Sequence, residues 1–125
     1  MKGLKHMADL MAAAPNSTAA KRRWLTAAQL ACKSVAEDLG LEPGTFEVRT
    51  CEGGSAVPDE VILHGESLYL CIGTSKPGGK LVGYARSCEG RKDYTGGANR
   101  WLSIWMSFDK VVQVCREAMA ARGEA

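Results

Sequence analysis

Residues 60–74 read EVILHGESLYLCIGT. Two apolar runs flank a Gly-Glu pair, and the hydrophobic period is two, the signature of a β-hairpin. Glycine at the first central position suits a two-residue type II′ turn at Gly65-Glu66. That turn pairs His64 with Ser67, Leu63 with Leu68, Ile62 with Tyr69 and Val61 with Leu70. One face then carries Val61, Leu63, Leu68, Leu70 and Ile72, the expected core face. The other carries Ile62, His64, Tyr69 and Cys71.

The same period continues on both sides of this hairpin. After Pro43-Gly44, Phe46, Val48 and Thr50 alternate with Glu47, Arg49 and Cys51, and Gly53-Gly54 and Pro58 end the run. Downstream, SKPGGK (residues 75–80) is a turn. Residues 81–88 form a fourth strand and residues 100–107 a fifth, with Leu102, Ile104 and Met106 on one face and Trp101, Ser103 and Trp105 on the other.

Helical periods flank the strands. Leu4, Met7, Met11 and Ala14 share a face of a short helix ending at Pro15. Asn16, Ser17 and Thr18 are good N-cap residues for a second helix, whose stripe is Trp24, Ala28, Ala31, Cys32, Val35 and Leu39. Gly40 supplies its C-cap, with Leu41 folding back on the last turn. Ser107 or Asp109 caps a last helix carrying Val111, Val112, Cys115 and Met119 and closed by Gly123. Helices, a run of antiparallel strands, then a helix predict an α+β two-layer domain over residues 1–125. Its five-stranded, mainly antiparallel sheet is packed by N-terminal helices and a C-terminal helix.

Composition narrows the function. The chain has 125 residues, 46% of them apolar, and a formal charge of +2, so charge placement matters more than the total. Cys32, Cys51, Cys71, Cys88 and Cys115 include no C-x-x-C pair. With only His6 and His64 besides, no zinc set appears and no metal is expected. Reduced cysteines used as small apolar residues point to the cytoplasm. No stretch approaches a membrane span, the N-terminus is not a signal peptide, and no membrane partner is expected. Neither a P-loop nor a dinucleotide fingerprint occurs, so no cofactor is expected.

Catalytic constellations are thin. His64 has Ser67 as its expected neighbour, but no orienting acid or oxyanion site accompanies them. Cys88, between Arg86 and Arg91, is the best-placed thiol for a thiolate. An enzyme built on His64 or Cys88 is therefore the last of three readings.

The anion-binding features are richer. Lys21, Arg22 and Arg23 open the second helix, where cations oppose the macrodipole and a sequence chosen for stability alone would place acids. The connection CEGRKDYTGGANRW (residues 88–101) is long for a compact domain. Within it Arg91, Lys92 and Arg100 can donate to phosphate or carboxylate. Tyr94 and Trp101 offer flat faces, and Asp93 and Asn99 can hydrogen-bond a sugar or base edge. The leading expectation is a small non-enzymatic binding protein. It would hold an anionic ligand or a partner macromolecule of a host through this loop, helped by Lys21, Arg22 and Arg23, as a monomer or a homo-oligomer. Small size, exposed charge and Ala/Gly/Arg richness fit a phage or mobile-element inhibitor of a host defence system. The alternative is a nucleic-acid binder using the same cations.

Overall fold

A computed structural model describes residues 3–13, 18–53, 59–74, 80–90 and 98–123. The elements are α1 (Leu4–Ala13), α2 (Thr18–Asp38), β1 (Glu47–Cys51), β2 (Glu60–His64), β3 (Leu68–Thr74), β4 (Leu81–Ser87), β5 (Arg100–Leu102) and α3 (Phe108–Gly123). The strands lie side by side in chain order, each neighbour antiparallel. All three helices and one face of the sheet share one apolar cluster. The architecture is the α+β two-layer fold expected from the hydrophobic periods.

The helices form as their stripes and caps dictate. Trp24, Ala28, Ala31, Cys32 and Val35 of α2 are buried, and Ala20, Leu25 and Ala36 widen the stripe. Gly40 takes a φ of 70°, where a side chain would strain the backbone. Its N–H donates to the Glu37 carbonyl and the Leu41 N–H to the Ala36 carbonyl, each at 3.0 Å, the paired bonds of a Schellman cap. At the start of α3 the Ser107 hydroxyl accepts the Lys110 N–H at 3.1 Å. Arg116 of α3 donates to the Asp38 carbonyl at 2.7 Å, satisfying a group that the last turn of α2 leaves open.

The central hairpin departs from the expected register while keeping its faces. His64 pairs with Tyr69, Leu63 with Leu70 and Val61 with Ile72. Gly65 has no positive φ, so the type II′ turn does not form. Its N–H donates to the Leu68 carbonyl at 2.8 Å, which moves the tip to Glu66-Ser67. Tertiary contacts explain the shift. The Gly65 carbonyl accepts the Cys88 thiol at 3.3 Å, and the Cys88 N–H donates to Ser67. These bonds extend the β3–β4 edge beyond the turn. The partner strand moves by two residues, so Val61, Leu63, Leu68, Leu70 and Ile72 still face the helices.

The fifth strand is shorter than its alternation suggests. After Leu102 the Ser103 hydroxyl accepts the Trp105 N–H and the Ser103 carbonyl the Met106 N–H, each at 3.1 Å. This local turn outcompetes the ladder, so Trp101 and Trp105 do not share a strand face.

Gly73 marks a close approach. A Cβ there would lie 2.7 Å from the Asp59 carbonyl oxygen, a backbone atom with little room to yield. Gly73→Ala is expected to cost about 1–3 kcal/mol as an overpacked site does, read as a lowered midpoint in urea.

Candidate functional site

The helices cover one face of the sheet; the opposite face carries the polar and aromatic residues. Successive strand residues point to opposite faces, so the pairing places two rows there. Glu47, His64, Tyr69 and Arg86 stand in register across β1 to β4. Arg49, Ile62, Cys71, Tyr84 and Trp101 form the next row, across all five strands.

Aromatic rings link the rows toward β5. Tyr69 and Tyr84 stack with centroids 6.2 Å apart, and Tyr84 meets Trp101 edge-on at 5.4 Å. The Arg86 guanidinium lies over the Tyr69 ring, 4.1 Å from its centroid, a cation–π contact that holds both groups. Ile62, Tyr69, Cys71 and Cys88 form a small buried cluster with Tyr84 against it. Burial pushes up the pKa of Tyr69 and Tyr84, so both phenols stay neutral. The series ends in the open: Trp101 is 64% exposed on edge strand β5.

His64 anchors the far end of the face. It is 0% exposed. Its Nε2 donates to the Gly90 carbonyl at 3.1 Å and its Nδ1 accepts from Arg49 Nη2 at 3.3 Å. These two partners assign the Nε2–H tautomer. Arg49 also pairs with Glu47, and Tyr69 packs edge-on against the imidazole at 5.0 Å. Burial lowers the His64 pKa first, and the Arg49 and Arg86 charges lower it further. The Gly90 bond and Glu47 oppose them.

This geometry corrects the expected neighbour of His64, which is Tyr69 rather than Ser67. Both ring nitrogens are engaged and no ring atom meets solvent. Cys88 is 1% exposed, with its thiol donated to Gly65, and it presents no accessible nucleophile. Cys32, Cys71 and Cys115 are buried as expected, whereas Cys51 is exposed, and all five are free thiols. Burial pushes Cys32 and Cys115 up to about 12, so they serve as small apolar groups. Among the described residues no group of three His, Cys, Asp or Glu side chains is placed to hold a metal ion. No described helix is long and apolar enough to cross a membrane.

The loop residues divide. Asn99, Arg100 and Trp101 are exposed at the start of β5. Arg91, Lys92, Asp93 and Tyr94 lie outside the described residues. Arg100 pairs with Ala85 and Trp101 with Tyr84, so the two side chains leave β5 on opposite faces and straddle the edge. Lys21 is committed elsewhere: its ammonium lies 3.1 Å from Asp59 and donates to the Gly53 carbonyl at 3.0 Å. Asp59 also accepts the Gly53 N–H at 2.6 Å. These contacts sit at the β1–β2 turn, the opposite end of the sheet from Ala85 and Arg100. The two basic groups are therefore not brought together, and Arg22 and Arg23 face a separate groove between α1 and α2.

No protein family model, curated protein or solved structure matches the chain. Residues absent from the expected site are Tyr84, which meets Trp101 edge-on, Tyr69, which stacks on Tyr84, and Arg86, which lies over Tyr69. Their signal lies in the β4 alternation: Tyr84 and Arg86 fall opposite Leu81, Gly83 and Ala85.

Proposed function

We propose that the chain is a small non-enzymatic binding protein that holds a partner macromolecule along the exposed edge of β5. The observation that carries this is Trp101, presented to solvent on a rigid aromatic support of Tyr84 and Tyr69. Hydrophobic area kept in water is unfavourable for the isolated chain, and Trp and Arg are the residues that most often dominate binding energy. Arg100 on the other side of the edge adds a cation suited to carboxylate or phosphate, and Asn99 adds an amide. Among the described residues no strand pairs with the outer edge of β5. A partner can thus meet backbone groups and both side chains at once.

The test is recovery of partners from host extract on immobilised parent protein, Trp101→Ala and Arg100→Ala, with thermal melts in parallel. Trp101→Ala is expected to abolish recovery and Arg100→Ala to reduce it, with stability within about 0.5 kcal/mol of the parent, as for exposed positions. Equal recovery by all three would remove this edge as the site.

The flat Trp101 face favours one second reading, a single-stranded nucleic acid stacked on the ring. Titration with a thymidine oligonucleotide, followed by tryptophan fluorescence, separates the two. Binding that falls steeply with salt supports nucleic acid, because phosphate contacts release counterions.

A further inference from the structure

On the side of the helix layer away from the sheet, α1 and α2 leave an open groove of about 400 Å3. Leu10, Ala27 and Leu30 make an apolar floor, and His6, Arg22 and Arg23 a polar rim. Leu30 is 54% exposed, one of three large apolar residues so placed among the described ones. Arg23, Ala27 and Leu30 follow at steps of four and three, one stripe of α2 distinct from the core stripe. Lys21 is neutralised by Asp59, but Arg22 and Arg23 make no hydrogen bond or ion pair among the described residues. No acid stands in the first turn of α2 to offset them. Beside an apolar floor these two cations complement an amphipathic, acidic surface.

We propose that this groove docks an acidic amphipathic helix of a partner protein. Its apolar edge lies over Leu10, Ala27 and Leu30, and its carboxylates meet Arg22 and Arg23. The mode is a helix in a groove, with anchors at i, i+3 or i+4, and i+7, and arginine supplies paired donors to each carboxylate. The site is separate from the β5 edge, because α2 packs over β1 and β2 whereas α3 is the helix that packs over β4 and β5.

The probe is a fluorescein-labelled peptide of about 18 residues, long enough to be helical when bound, with leucines at the anchor positions and glutamates flanking them. The control carries lysines in place of the glutamates. Anisotropy should show saturable binding of the acidic peptide to the full chain. Arg22→Glu/Arg23→Glu should weaken it by about tenfold or more, equivalent to ~1.4 kcal/mol or more, and Leu30→Ser should weaken it comparably. The lysine peptide should bind the reversed variant better than it binds the parent. These positions are exposed, so circular dichroism melts should match the parent; if the reversal unfolds the chain, Arg22→Gln/Arg23→Gln carries the same test. No saturable binding, equal affinity for parent and variant, or preference of the parent for the lysine peptide overturns the proposal. Binding to phosphatidylglycerol vesicles without binding to the acidic peptide overturns it too, and assigns the groove to an anionic membrane surface.

Discussion

Leu70→Ala should cost about 2–5 kcal/mol, the range for a fully buried leucine whose cavity cannot collapse. Leu70 lies on central strand β3, pairs with Leu63 and Ala85, and faces the helices from the middle of the apolar cluster. Strands bound on both sides cannot shift to fill the void. In a urea titration the midpoint should fall with the slope unchanged, which reports stability rather than a new denatured state. Alternation alone would make Tyr69 the cheaper truncation, being on the other face. The structure removes that contrast: Tyr69 is buried among His64, Tyr84 and Arg86. Tyr69→Ala should therefore fall in the same range, and the clear contrast is with exposed Trp101→Ala. A cost under about 1 kcal/mol for Leu70→Ala would mean that it does not face the helices, the signature of a one-residue slip.

His64→Ala should be the second large loss. Removing the imidazole empties a fully buried position packed against Tyr69 and takes a donor from the Gly90 carbonyl and an acceptor from Arg49, a large-to-small loss of about 2–5 kcal/mol. The same residue makes the fold sensitive to acid. Its pKa is below the ordinary histidine value of 6.5 in the folded chain and at that value when unfolded. Between the two, the unfolded chain binds more protons, so stability falls as pH drops. The loss begins near pH 6.5, grows as pH falls toward the folded pKa, and levels off below it. The cause is local: a second ring proton would displace the Arg49 donor from Nδ1 and set two cations together. Melting temperatures from pH 8 to 5 should show this limb in the parent and not in His64→Ala. A limb of the same size in both would place the acid sensitivity in another group.

The α+β class, the helix stripes, the Gly40 and Ser107 caps and the core face of the hairpin are all legible in the chain. Each depends on a local rule: hydrophobic period, capping chemistry or backbone freedom. The solvent-facing end of the candidate edge, Asn99, Arg100 and Trp101, is legible as well, because polar and aromatic residues beside glycines stand out in a connection. Three matters required the folded chain. The hairpin tip sits at Glu66-Ser67 because Cys88 and Ser67, 21 positions apart in sequence, share a hydrogen bond that no turn preference encodes. His64 is buried because Arg49, Tyr69 and Gly90 converge on it from other segments. Lys21 parts from Arg22 and Arg23 because Asp59 captures it, while helical geometry turns the other two toward α1. Periodicity determines which face of an element turns inward. What stands opposite that face is determined by non-local pairing, and so the environments of His64, Tyr69 and Lys21 were decided only when the sheet and the helix layer closed on one another.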